Sequence, residues 1–198
     1  MGILIHSQLL DYFITKTVLN LLKSCASLSI MNVLSYVLSL INLQTVYAHC
    51  DIPCGVYDPT PAQIAAHTVL RMTNLLLEIK VPEGENVDNL EYTKHHNSVV
   101  RMIHVKEKHG GLVEEELGTL DNDYFKPEHH KEFPELAKLL KSAVKLSITC
   151  RQNIDMKSAN ELLGETQKIA EIFYKTKDFE PIRIPSGFPT EGEIVSHK

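Results

Sequence analysis

From Ser24 to Ala48 no acidic or basic residue interrupts a run rich in leucine, isoleucine and valine, whereas beyond Asp58 the apolar residues recur at helical spacing. The first pattern is long enough to span a bilayer, and the second belongs to amphipathic helices. Lys16 and Lys23 precede the apolar run like a charged leader head, and Val46-Tyr47-Ala48 ends it on a small residue of the kind that is cut. If translation starts at Met31, the leader is 18 residues long. Three readings of residues 1–48 stand side by side: a cleaved export signal, a leader cut inside the cell, and an uncleaved anchor.

Asp58-Pro59-Thr60-Pro61 predicts a turn into a first helix, with Thr60 as N-cap and Pro61 at the first helical position, where its missing N–H costs nothing. Ile64, Met72, Leu75, Leu76 and Ile79 give that helix an apolar face, and Pro82-Glu83-Gly84 stops it. A second helix is expected from about Asn86, with Leu90, Val99, Val100 and Ile103 facing inward and Arg101, Lys106, Glu107 and Lys108 facing solvent. Gly110-Gly111 is read as a bend inside one long element reaching Leu120, each glycine costing roughly 1 kcal/mol relative to alanine. Pro134 opens a third helix carrying Leu136, Leu139, Leu140, Val144 and Ile148. Ser158-Ala159-Asn160-Glu161 reads as a capping box before Leu162, Leu163, Ile169, Ile172 and Phe173. The expectation is an all-α protein, an antiparallel up-and-down four-helix bundle. Pro181, Pro185, Gly187, Pro189 and Gly192 predict an irregular, extended tail over 178–198.

The 198 residues, 43% of them apolar, suffice for one packed domain with extensions. The net charge is −5, and removal of residues 1–48, with their two lysines and one aspartate, makes it −6. That balance argues against nucleic acid as the main partner, because duplex binding rests on lysine and arginine neutralising phosphates. It leaves open a small anionic substrate guided by a local positive field.

Four cysteines are too few and too scattered for a disulfide scaffold. Cys25 lies in the leader, and Cys150 is expected as a small core residue of the third helix. Cys50 and Cys54 alone form a local pair, inside His49-Cys50-Asp51-Ile52-Pro53-Cys54-Gly55-Val56-Tyr57-Asp58-Pro59. Cleavage after Ala48 would give His49 a free amine beside its ring, next to the backbone amide and thiol that Cys50 already offers. Two nitrogens and two sulfurs in a plane favour Ni(II) or Cu(II). Without cleavage the amine does not exist, so an anchor is the reading least compatible with this site. The residues also admit a structural or redox thiol pair, or half of a zinc site completed by other histidines. The pairs His95-His96 and His129-His130 point about 100° apart on a helix and fit surface positions better. His67 and His104 fit solvated or hydrogen-bonded histidines.

The eleven-residue stretch resembles the metal hook of the nickel-containing superoxide dismutase family. Asp123-Tyr124-Phe125-Lys126-Pro127, followed by Phe133-Pro134-Glu135-Leu136, is similar to that family's second signature block. The resemblance covers about 49–177 and implies a division into a removable leader (1–48), a dismutase domain (49–177, hook 49–57) and a tail (178–198). It implies a nickel ion bound by His49, Cys50 and Cys54, with the His49 ring as axial ligand and Tyr57 as the gate to superoxide. Asp51, Pro53, Tyr124 and Lys126 then support the site, with a cis Ile52–Pro53 bond. Two positions depart from the family pattern. Its glutamate holding the axial imidazole falls at Ala65, and the arginine behind that glutamate falls near His109.

The resemblance further implies a homohexamer, a maturation protease and no membrane association of the mature form. A cytoplasmic location after leader removal is the expectation, and export through the apolar leader the alternative. Two other functions compete with dismutation. One is storage of nickel or copper without turnover, and the other is a thiol-redox helical protein.

Overall fold

The structure, a computed structural model, describes residues 54–84 and 88–198. The expectations for the leader, for His49, Cys50, Asp51 and Pro53, and for the Ile52–Pro53 bond fall outside the described residues. Four long helices carry the fold: α1 (Thr60–Glu78), α2 (Asn89–Thr119), α4 (Leu136–Gln152) and α5 (Met156–Lys175). A short α3 (Pro127–Glu132) lies between α2 and α4. The long helices pack in a closed ring, α1 on α2, α2 on α4, α4 on α5 and α5 on α1, giving the expected up-and-down bundle.

The buried stripes differ in part from those the hydrophobic pattern suggested. On α1 the buried face is Ala62, Ala65, Ala66, Val69, Leu70 and Leu76, so small residues let neighbouring helices approach, and Ile64 is left exposed. Leu90, Val100, Ile103 and Ile148 are exposed as well. On α2 the buried positions are Lys106, Gly110, Val113 and Leu117. Lys106 is therefore not a solvent-facing residue. Its ammonium donates to the carbonyls of Cys150, Arg151 (2.9 Å) and Asn153 (3.0 Å), at the C-terminus of α4. The last carbonyls of a helix lack intrahelical partners and carry partial negative charge, and a buried cation answers both. Burial lowers the Lys106 pKa, which the neighbouring Glu107 carboxylate opposes. Cys150 is fully buried as expected, and burial pushes its thiol up to about 11.

Helix α2 runs unbroken through both glycines, and the reason differs between them. A Cβ on Gly110 would stand 2.5 Å from Cγ of Arg151, and Ser147 Oγ donates to the Gly110 carbonyl at 2.8 Å. Gly110 is thus where α2 touches α4, beneath an arginine that also pairs with Glu107 (3.1 Å) and Glu114 (3.0 Å). Nothing lies within 4 Å of a Cβ on Gly111. Gly111→Ala should therefore raise unfolding free energy by about 1 kcal/mol. Gly110→Ala should not, because Arg151 must leave its carboxylates to make room. Urea denaturation of both variants checks the contrast.

The caps shift by one to three residues. Pro59 precedes α1, Thr60 is its first residue, and Asp58 Oδ1 accepts from the Thr60 N–H at 2.7 Å. Asp155 caps α5, accepting from the Lys157 N–H (2.9 Å) and from the Ser158 hydroxyl (2.6 Å), so Ser158 serves inside the first turn.

The segment expected as an irregular tail is instead a two-stranded hairpin, β1 (Pro181–Pro185) paired antiparallel with β2 (Glu193–His197). Prolines occupy both ends of β1, where a missing N–H does least damage. Val195 is fully buried, and Gln63 on α1 brackets it, its amide donating to the Val195 carbonyl (3.0 Å) and accepting from its N–H (2.8 Å). Gln167 on α5 donates to the Glu193 carbonyl at 2.6 Å, so the hairpin bridges α1 and α5.

His67 belongs to this bridge. It is buried, with Nδ1 2.8 Å from the Thr190 hydroxyl and Nε2 3.1 Å from the Glu193 carbonyl. The carbonyl accepts only, so Nε2 carries the proton. Burial lowers the His67 pKa from its ordinary 6.5, which the Glu193 carbonyl opposes. Below pH 6.5 the unfolded chain takes up a proton that the folded chain does not, so this residue costs stability as pH falls from 6.5 to its lower folded value. Unfolding free energy measured between about pH 7.5 and about pH 5 should fall more steeply in the wild type than in His67→Gln.

Candidate metal centre

The described part of the hook is Cys54 to Tyr57. Cys54 is exposed, Gly55 takes a left-handed φ of +71°, and the Val56 N–H donates to Cys54 Sγ at 3.4 Å. A left-handed residue turns the chain back sharply, and glycine does so without a Cβ clash. The turn leaves a solvent-facing sulfur with a backbone donor beside it. Such a donor stabilises a thiolate, the form of cysteine that binds metals. A soft, accessible sulfur of this kind fits a nickel ligand. Among the described residues no group of three or more His, Cys, Asp or Glu side chains forms another metal cage.

Behind the turn, Tyr57 is half-buried against the core, its ring centroid 5.6 Å from that of Tyr124 at an interplanar angle of 52°. Tyr124 is delivered by an irregularity in α2. The last turn, Leu120–Tyr124, is π-helical, closed by the Phe125 N–H donating to the Leu120 carbonyl at 2.8 Å. One extra residue in the turn rotates the chain beyond it, and such turns are frequent at functional sites. Tyr124 also packs against Phe173 of α5, tilted by 40° with centroids 4.6 Å apart, and stacks on His129 (5.7 Å).

The Thr176 hydroxyl donates to the Phe173 carbonyl at 2.7 Å, so its oxygen accepts from the Tyr124 phenol, also at 2.7 Å. Burial raises the Tyr124 pKa, opposed by this hydrogen bond, and the phenol keeps its proton at neutral pH. The fold thus brings together two residues, Tyr57 and Tyr124, that are 67 positions apart.

Lys126 is exposed, its ammonium donating to the Asp123 carbonyl at 2.9 Å, and its backbone N–H donates to His129 Nδ1 at 3.1 Å. Ala65 is buried in the core, and His109 is half-buried with Nδ1 donating to the Val105 carbonyl at 2.9 Å. His95 and His96 lie against one another, and His130 stands 3.8 Å from Asp121.

Three residues near the hook escaped the sequence reading: Phe173, Thr176 and Lys177. Phe173 was read as core alone, and the other two stand at the end of a helix where polar residues are ordinary. The Lys177 ammonium is 3.5 Å from the Tyr57 carbonyl. Burial raises the pKa of Tyr174, near the end of α5, which the Thr60 side chain at the start of α1 opposes.

A family model described as nickel-containing superoxide dismutase matches residues 44–177. The superoxide dismutase [Ni] of Streptomyces seoulensis is 34% identical over 132 residues, covering 67% of this chain and 90% of that protein. Its counterpart from Streptomyces coelicolor is 31% identical over 133 residues, covering 67% and 91%. Among solved structures, a nickel-containing superoxide dismutase with nickel ligation of the oxidized state aligns with a TM-score of 0.53 at 33% identity, covering 66% of this chain and 99% of that one. A native 1.30 Å structure aligns at 0.52 and 31%, covering 65% and 99%. The family match spans the hook turn and the bundle and stops before the hairpin.

Proposed function

We propose, for a chain that belongs to the nickel-containing superoxide dismutase family, that its active centre is the hook running from His49 to Tyr57. The protein is a nickel-dependent superoxide dismutase, converting two superoxide ions and two protons to oxygen and hydrogen peroxide. The observation that carries the assignment of the site is the Cys54 turn: an exposed thiol facing a backbone N–H, on a left-handed glycine, three residues before a tyrosine held against the core.

The residues that would hold the nickel are the His49 amine and ring, the Cys50 amide nitrogen and sulfur, and the Cys54 sulfur. Bound there, nickel supplies a one-electron couple, which thiolate and amide donors bring into the range that superoxide can both reduce and oxidise. Pro53 and Gly55 restrict the curl of the chain between the two sulfurs. Asp51 shapes the hook from within. Tyr57, braced on Tyr124, places a phenol donor at the mouth of the hook, where it hydrogen-bonds an arriving anion or an ordered water. Lys126 adds positive charge on the same signature block, favouring an anionic substrate. Ala65, where the family pattern has a glutamate, is buried in the core and offers no carboxylate to the His49 ring.

The site depends on cutting Ala48–His49, so residues 1–48 are a leader and a maturation protease acts on this chain. Among the described residues no helix is long and apolar enough to cross a membrane. The mature chain assembles as a homohexamer, which would cover exposed aliphatic residues such as Leu77, Leu90 and Val100 and shield a hook too short to enclose a reactive centre.

The test is the mature N-terminus. Mass spectrometry of the protein from its own cell should show a chain beginning at His49, and its nickel form should give a paramagnetic spectrum with axial nitrogen coupling. A chain that still carries Ala48 overturns the amine-ligated site. Sedimentation of a fully active monomer contradicts the hexamer.

A further inference from the structure

The turn that follows α5 meets the end of the hook and the residue that braces it. The Thr176 hydroxyl accepts a hydrogen bond from the Tyr124 phenol, and Lys177 reaches the Tyr57 carbonyl. The backbone of that turn is fixed by the Thr176 N–H donating to the Ile172 carbonyl (3.0 Å) and the Lys177 N–H donating to the Tyr174 carbonyl (3.1 Å). The Lys177 side chain is half-buried, with its ammonium 4.5 Å from the ring centre of Phe173 and 5.5 Å from that of Tyr124. Both distances are within the range in which an aromatic face attracts a cation. Among the described residues no carboxylate forms an ion pair with it.

A half-buried ammonium without a carboxylate partner is costly unless nearby dipoles or charges offset it. Here the carbonyl it meets is that of Tyr57, where the chain leaves the hook. Its other contacts are the ring of Tyr124, against which the Tyr57 side chain rests, and the ring of Phe173 behind it. One side chain thereby constrains both the backbone and the ring environment of the proposed gate.

We propose that Lys177 is a positioning residue for the metal hook, pinning the Tyr57 carbonyl so that the hook leaves the bundle in one direction with the Tyr57 ring seated on Tyr124. The assignment rests on the hook reading given above. The Tyr57 carbonyl meets a charged donor, so a neutral side chain of similar length should pack in its place and still fail to hold the hook. Arginine keeps the charge and stacks on aromatic rings, so it should rescue much of what methionine loses.

The experiment compares mature, nickel-loaded wild type with Lys177→Met and Lys177→Arg. It records nickel release to a competing chelator, the superoxide rate constant and the thermal midpoint. Lys177→Met should release nickel about tenfold faster and dismutate about tenfold more slowly, the scale of one lost hydrogen bond from a charged donor. Its thermal midpoint should stay within about 2 °C of wild type, less than a 1 kcal/mol change produces in a domain of this size. Lys177→Arg should recover nickel retention to within about threefold, since the guanidinium restores the charge.

Equal nickel release by wild type and Lys177→Met overturns the proposal. So do equal defects in both variants, or a fall in thermal midpoint large enough to account for the loss. If the wild type itself holds no nickel, the hook reading falls and this proposal falls with it. A wild type that holds nickel beside an unaffected variant removes the role of Lys177 alone.

Discussion

Mature protein carrying Cys54→Ser, loaded under the conditions that load the wild type, should show no superoxide dismutation above that of free nickel ion. It should also lose its nickel on gel filtration. Serine is nearly isosteric but offers a hydroxyl, which is neither ionised at neutral pH nor soft enough to hold nickel in a redox-active state. The exposed position of Cys54 makes the test clean. Its side chain is outside the core, so the bundle should fold as before. Far-UV circular dichroism matching wild type, together with retained nickel-dependent activity, would sink the proposed ligand set. The same protein bearing an extra residue before His49 should fail in the same assay, because the amine ligand disappears into a peptide bond.

The second large effect is on stability. Lys106→Met should lower unfolding free energy by about 3 kcal/mol, measured by urea denaturation at neutral pH. Methionine fills most of the same volume, so the loss comes from the carbonyls of Cys150, Arg151 and Asn153, left without their charged donor at a buried helix end. An exposed lysine on the same helix, Lys108, should tolerate the same change within about 0.5 kcal/mol. A Lys106→Met protein as stable as wild type would mean that water reaches those carbonyls.

The contrast between Lys106 and Lys108 shows where local reading stops. Charge placed both on the outside of α2, although Lys106 stands four residues before Gly110 and seven before Val113, in register with the buried stripe, and Lys108 does not. What brings Lys106 inward is the C-terminus of α4 passing that point of α2, a partner 44 positions away. The same limit explains Ile64 and Ile148, which hydropathy put on inner faces and which the bundle leaves exposed. Where two helices approach closely, alanine and glycine line the contact and larger aliphatic residues stand at its margin. Gly110 is such a contact and Gly111 is not, although they look alike in sequence.

The hairpin was illegible for a related reason. Ile182-Arg183-Ile184 and Ile194-Val195 are short alternations bounded by proline and glycine, signals that suit a loop as well as a strand. Their pairing becomes favourable when Val195 finds a buried site between α1 and α5, with Gln63 completing its backbone hydrogen bonds. His67, read as a hydrogen-bonded or solvated histidine, is bonded at both nitrogens because the hairpin covers it.

The sequence by itself carried the family signature and the proposed chemistry. The soft side chains at fixed spacing, the bond proposed to be cut before His49 and the tyrosine three residues past Cys54 are local properties, set by covalent order along the chain. The four long helices came with them, because each amphipathic stripe spans only consecutive residues, whereas the short α3 has no such stripe and was not expected. Tertiary structure decided what braces the hook. Tyr57 meets Tyr124, Thr176 and Lys177 meet those two tyrosines, and Lys106 meets the end of α4. Each of these contacts joins residues far apart in the chain, and their energy exists only once the helices have packed.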